Sequence, residues 1–103
     1  MADEIDEQPA ELVIEIDPPI VMKGGTYDSI TLREPKVIEV RQAENHLRTN
    51  VNMETMRRFQ VALVAKVAGV DEPVIEGLPI SKLNQAVTYL QNFISSGQPT
   101  SKN

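Results

Sequence analysis

Hydrophobic and polar residues alternate near the start of the chain and recur every three or four positions later on. Leu12, Ile14 and Ile16 share one side of the alternation, which is typical of a half-buried strand. Pro18 and Pro19 follow, and neither can donate a hydrogen bond to a neighbouring strand. The strand is therefore expected to bend or to lie at an edge.

A glycine pair predicts a tight turn directly after this strand. Segments 20–23 and 26–32 flank Gly24-Gly25, and glycine accepts the positive φ angles of a two-residue hairpin turn. Residues 11–33 are therefore predicted to form a small antiparallel β-hairpin.

Helical spacing begins after Pro35. A first helix is predicted over residues 36–48, and the apolar positions that it would bury are Val37, Val40, Ala43 and Leu47. A second helix, over residues 53–68, begins after Asn52, which is a good N-cap. Its second half is apolar almost all round, which is typical of a helix covered on several sides.

Gly69 is predicted to end the second helix, and Asp71 to cap a short helix over residues 72–77. The last helix is predicted from residue 80 or 81 to residue 95. Its apolar seam consists of Ile80, Leu83, Val87, Leu90 and Ile94. Packing within the same subunit and self-association both explain such a seam, and amphipathic helices in small domains mostly face their own core.

These elements predict an α+β fold, in which a small antiparallel hairpin is followed by three to four helices. Residues 1–10 are interpreted as a disordered acidic arm, and residues 97–103 as a disordered polar tail. One domain is expected over residues 11–96, with the hairpin in 11–33 and the helices in 35–96.

The net charge of −5 is unevenly distributed. Residues 1–31 contain eight acids against one base, whereas residues 32–58 contain six bases interleaved with four acids. The chain has no cysteine, which excludes disulfides and thiolate zinc sites. Its start lacks the features of a signal peptide, and no apolar run approaches the roughly 20 residues of a membrane span. A location in the cytoplasm is expected.

The stretch from Gly69 into the short helix has the outline of a helix-turn-helix DNA reader. Its second helix would present Asp71, Glu72 and Glu76 to the phosphates, and no base. Because DNA binding needs clustered cations, nucleic acid is not expected as a partner. A helix-turn-helix regulator stays open as an alternative.

The sequence offers no set of residues for catalysis. His46 is the only histidine, so no second histidine or cysteine can join it as a metal ligand. Gly24-Gly25 lacks the lysine and hydroxyl of a phosphate-binding loop. We therefore predict a protein that is not an enzyme and has no cofactor or metal.

The second and last helices carry more apolar surface than a domain of this size readily hides. Methionine is flexible and suits surfaces that accept several partner shapes, although core filling also explains it. If part of this surface is exposed, it predicts a binding groove or a homo-oligomer. The residues predicted to contact a partner are Met53, Met56, Phe59, Leu63, Leu90 and Ile94.

Over residues 12–95 the chain resembles the tail assembly chaperones of Mu-like phages and their prophage relatives. The phrases that carry the resemblance are SITLREPKVIEVRQAE and RRFQVALVAKVAGVDEPVIEGLPISKLNQAVTYLQNFI. In that family a strand ending in a Leu-Arg-Glu-Pro phrase leads into a helix, and a helix rich in Ala, Leu and Val ends in glycine. A Leu-Pro dipeptide then precedes the last helix. Here these features are residues 32–35, 59–69 and 78–79.

The resemblance implies a protein that keeps the phage tape measure protein soluble in the host bacterial cytoplasm while the tail assembles. Tail tube protein is a further partner that it suggests. It implies no catalytic residues, and it fixes no binding residues. A minor structural component of the tail is the remaining alternative.

Overall fold

The computed structural model describes residues 9–96 of the 103-residue chain. Within them, the strands β1 (Glu11–Met22) and β2 (Gly25–Arg33) form an antiparallel hairpin. Four α-helices follow, namely α1 (Val37–Ala43), α2 (Met53–Ala68), α3 (Glu72–Glu76) and α4 (Ile80–Ser96). The predicted α+β class, with a hairpin followed by helices, is confirmed. Most of the predicted arm and all of the predicted tail lie outside the described residues.

The hairpin covers residues 11–33, the range predicted for it, and its first strand is irregular at the prolines. β1 continues through its two prolines, and the register shifts between Glu15 and Ile20. This irregularity contains the cis Asp17–Pro18 bond and the two prolines, which cannot donate hydrogen bonds to β2. Pairing with β2 resumes at Ile20. The predicted alternation is confirmed, because Ile14 is buried while the adjacent Glu15 is exposed.

The predicted position of the hairpin turn is wrong by one residue. Met22 pairs with Gly25, so the two-residue loop is Lys23-Gly24. Gly25 has a φ of +152° and belongs to β2. Glycine adopts this positive φ without steric strain, which allows β2 to begin at Gly25.

α1 is shorter than predicted, because a 3₁₀ turn over Glu44–Leu47 replaces its last turn. Ala43 is fully buried and Val40 packs partly against the core. The prediction that Val37 is buried is wrong, since it is 75% exposed. Val37 lies in the first turn of the helix, where no neighbouring element covers it completely.

α2 follows its prediction closely. The Asn52 side chain accepts a hydrogen bond from the backbone N–H of Thr55, and the Thr55 hydroxyl accepts one from the backbone N–H of Asn52. The helix ends at Gly69, which has a left-handed φ of +74°. Its second half is buried on nearly all sides, with Val64 fully covered. α2 is therefore the central helix of the core.

α4 packs on α2 and on both strands, so its seam serves the subunit's own core. Leu83 and Leu90 are buried as predicted, but Ile80, at the start of the helix, is 57% exposed. The buried stripe instead includes Ala86 and Tyr89, which the spacing of large aliphatic residues did not indicate.

Candidate protein-binding surface

Three of the residues predicted to contact a partner lie in the core. Phe59, Leu63 and Leu90 are buried among the helices and the hairpin. A partner cannot reach them while the subunit is folded. Their buried positions therefore do not support the predicted role in binding a partner.

The other three predicted contact residues are accessible to different degrees. Met53 is 87% exposed and Ile94 is 39% exposed, whereas Met56 is half-buried against the core. Met53 and Met56 lie together at the beginning of α2, and Ile94 lies near the end of α4. The structure therefore divides the predicted surface between two places.

The first place is an apolar hollow of about 280 Å³ between the start of α1 and the end of α4. We call it the α1–α4 hollow. Its lining residues are Glu34, Pro35, Val37, Val40, Arg41, Phe93 and Ile94. Five of these seven are apolar, so the hollow can take up an apolar side chain of another segment.

The first turn of α1, which lines the hollow, is held to the end of β2 by charged side chains. The Arg33 guanidinium donates from Nη1 to Glu39 Oε1 at 2.9 Å and from Nη2 to Oε2 at 2.7 Å. Glu39 Oε1 also accepts the backbone N–H of Lys36 at 2.8 Å. These bonds join the end of β2 to the start of α1 and leave Val37 facing the open space.

The same bonds set the charge of the Glu39 carboxylate. Hydrogen bonding from Arg33 lowers its pKa, while desolvation by burial acts in the opposite direction. The bond to Lys36 N–H lowers the pKa further. Glu39 is thus held in its ionised form, which favours the two-pronged contact with Arg33.

Tyr89 joins the start of the described chain to the hollow. Its hydroxyl donates to the carbonyl oxygen of Pro9 at 2.7 Å. Its ring meets the ring of Phe93 edge-to-face, with 5.2 Å between the centroids. Burial raises the pKa of Tyr89, and the carboxylates of Glu11 and Glu34 raise it further. The phenol therefore stays a neutral donor at neutral pH.

The second place is a hollow of about 360 Å³ at the start of α2, lined by Val51, Asn52, Met53, Met56 and Arg57. We call it the α2 hollow. Val51 is 68% exposed, so three apolar side chains there meet solvent at least in part. Sequence reasoning identified the two methionines but missed Val51, which precedes the helix and belongs to no periodic pattern.

Sequence reasoning also missed most of the α1–α4 hollow. It assigned Val37 and Val40 to the core and did not single out Phe93. The half-exposed Ile38 beside them was not singled out either. Two adjacent apolar residues, Val37 and Ile38, at the first turn of a short helix were the available signal, because a short helix cannot bury both against one neighbour.

Other chemistry has little support in the described part of the chain. Residues 9–96 contain no group of three histidine, cysteine or acidic side chains placed to hold a metal ion. Within the same residues, no helix has the length and apolar character needed to cross a membrane. Asp71, Glu72 and Glu76 are all exposed around α3, so the short helix presents negative charge to its surroundings.

Two open apolar hollows on a small α+β scaffold are suited to binding another protein. The family model described as "Phage tail assembly chaperone proteins, E, or 41 or 14" matches residues 13–95. The chain therefore belongs to this family of phage tail assembly chaperones, and the resemblance predicted from its sequence is confirmed. Searches of curated proteins and of solved structures found no match.

Proposed function

We propose that the chain is a non-enzymatic chaperone that binds the phage tape measure protein and keeps it soluble in the host cytoplasm during tail assembly. The α1–α4 hollow is the proposed contact surface. Its exposed apolar side chains, at Val37 and Ile94, are the observation that supports this function best. Family membership gives the proposal its biological setting.

A tape measure protein is expected to be long and helical, and its apolar helix faces aggregate until the tail tube encloses them. An amphipathic helix binds a groove through apolar side chains three or four residues apart. In the α1–α4 hollow, Val37 and Val40 are themselves three residues apart on α1, and Phe93 and Ile94 face them from α4. Such a lining suits one or two apolar anchors of a partner helix.

The charge of the chain supports the same role. A complex stays dispersed when the exposed part of the chaperone carries net charge, and this chain has a net charge of −5. The acids are concentrated in the first 31 residues, while the apolar lining of the hollow comes from residues after position 34. Solubilising and binding groups therefore occupy different parts of the sequence.

Co-expression with the tape measure gene of the same genome tests the proposal. We expect the soluble fraction of the tape measure protein to rise with the wild-type chain and to fall again with a Val37→Asp, Ile94→Asp variant. Val21→Asp is the matched control, because Val21 is also 75% exposed but lies in the hairpin. Equal solubility with and without the wild-type chain would disprove the chaperone role.

The same experiment tests whether the α1–α4 hollow is the contact surface, independently of whether the chain is a chaperone. If the wild-type chain solubilises the tape measure protein and the double variant does so equally well, the hollow is not the contact surface. A Met53→Asp variant then tests the α2 hollow, where Met53 is 87% exposed. Pull-down of tail tube protein by the tagged chain tests that second partner independently.

A further inference from the structure

The α1–α4 hollow lies where the described chain begins. Glu11 pairs with Arg33, so the start of β1 lies beside the end of β2. The next residues after Arg33, Glu34 and Pro35, line the hollow. Any segment that precedes β1 therefore leaves the fold next to this surface.

The exit point is fixed by a buried side chain. Tyr89 is only 4% exposed, and its hydroxyl holds the Pro9 carbonyl at 2.7 Å. Phe93, one helical turn further along α4, contacts the Tyr89 ring and lines the hollow. The Tyr89 side chain thus connects Pro9 directly to Phe93 in the lining of the hollow.

We propose that the segment MADEIDEQ, residues 1–8 of this same chain, docks into the α1–α4 hollow and inserts Ile5. This is an interaction within the subunit, so it occupies the surface at which the partner is proposed to bind. Docking itself is independent of the proposed function, whereas its role as a competitor of the tape measure protein rests on that function.

The length of the segment permits the contact. Ile5 is four residues before Pro9, and an extended chain covers about 13–14 Å over four residues. Along α4, Ile94 lies five residues beyond Tyr89, which corresponds to about 7.5 Å of helix rise. Ile5 can therefore reach the far side of the hollow, even if the segment does not run straight.

The side chains of the segment complement the hollow. Ile5 offers an aliphatic group to an apolar lining, and the acids beside it are Asp3, Glu4, Asp6 and Glu7. Arg41 lines the hollow and forms no ion pair among residues 9–96. Glu34 opposes the approach of acids, so apolar insertion of Ile5 must supply most of the binding, with Arg41 favouring the acids that flank it.

The other chain end does not suit this lining. Residues 97–103, GQPTSKN, follow α4 in the sequence, but they contain no Val, Leu, Ile, Met or aromatic side chain to insert. A second copy of the subunit is the remaining candidate occupant of the hollow, and mixing differently labelled chains distinguishes it from the segment.

A nitroxide on the segment measures its distance from the hollow in the full-length chain. The chain has no cysteine, so Ala2→Cys provides a single labelling position. We expect the label to broaden the methyl signals of Val37 and Ile94 strongly. Met53, at the α2 hollow, is the internal control and should broaden several-fold less.

The Ile5→Ser substitution, added to the labelled chain, should reduce the broadening at Val37 and Ile94 severalfold. Equal broadening at these residues and at Met53, or no effect of Ile5→Ser, would overturn the proposal. Mixing a labelled chain with an isotope-labelled chain that carries no nitroxide should give no broadening. Broadening that persists in that mixture would mean that a second copy supplies the segment, which also overturns the proposal.

The competition is tested separately by partner capture. With Ile5→Ser, more tape measure protein should be captured at equal chaperone concentration. If the nitroxide detects docking but Ile5→Ser leaves capture unchanged, the segment docks without competing. If the wild-type chain captures no tape measure protein at all, the proposed function fails while the docking result still stands.

Discussion

Arg33, the last residue of β2, binds both carboxylate oxygens of Glu39 in α1, at 2.9 and 2.7 Å. Only three residues separate the strand from the helix, so the pair fixes how α1 leaves the hairpin. The position of α1 in turn determines one wall of the α1–α4 hollow. A single ion pair thus connects the hairpin to the helix that lines the α1–α4 hollow.

Replacing Glu39 with Gln should lower the free energy of unfolding by about 1 kcal/mol at neutral pH, a value kept small because the Arg33 side chain is 38% exposed. The folded pKa of Glu39 lies below its unfolded value, so this contribution is present above the unfolded pKa. It is lost as the pH falls through the folded pKa. Urea unfolding of both proteins at several pH values measures the difference.

A difference between wild type and Glu39→Gln that is the same at about pH 7 and about pH 2.5 would contradict the ion-pair explanation. Glu15→Gln is a suitable control, because Glu15 is exposed on β1 and no ion pair of the described residues includes it. Its substitution should change stability little at either pH.

Leu90 and Ile94 lie one helical turn apart on α4 but should respond very differently to truncation. Leu90 is fully buried, so Leu90→Ala should cost about 2–5 kcal/mol through lost contacts and an internal cavity. Ile94 is 39% exposed, and Ile94→Ala should cost less than about 1 kcal/mol. Chemical denaturation of the two variants gives both values, and similar losses would show that α4 packs differently from the structure.

Gly69→Ala should destabilise the chain by roughly 1 kcal/mol. A Cβ there would meet no atom within 4 Å, so the cost comes from the left-handed φ of +74° and not from a clash. Gly24 has equal free space and no positive φ, so Gly24→Ala should change stability by less than about 0.5 kcal/mol. Thermal unfolding of the two variants measures the cost of the left-handed φ separately from any change in packing.

The N-caps of α2 and α3 make a second matched pair. Asn52→Ala removes the side-chain oxygen that accepts the Thr55 N–H, and should cost about 1 kcal/mol. Asp71 forms no side-chain capping bond, so Asp71→Ala should cost less than about 0.5 kcal/mol, from its charge alone. Equal losses in urea unfolding would mean that the hydrogen bond at Asn52 adds nothing.

Features set by a few neighbouring residues were predictable from the sequence. The alternation around Ile14, the cap at Asn52 and the stop at Gly69 depend on local geometry, and all three are confirmed. The hairpin turn was displaced because Gly24-Gly25 fits two registers. Only the pairing along the whole of β1 and β2 decides between them.

The candidate surface was only partly predictable, because exposure depends on which elements meet. Val37 and Ile80 continue an apolar period, yet both lie at helix beginnings that no neighbour fully covers. Tyr89 was missed for the opposite reason, since its buried hydroxyl is satisfied by Pro9, a residue distant in the sequence. No local pattern could indicate that contact.

The burial of the second half of α2 has a consequence for local opening of the subunit. Backbone amides around Val64 should exchange with deuterium only through global unfolding, whereas those of the seven-residue α1 can open locally. A binding partner that contacts α1 would therefore meet a part of the subunit that opens locally. The core around Val64 would stay folded while the partner binds and dissociates.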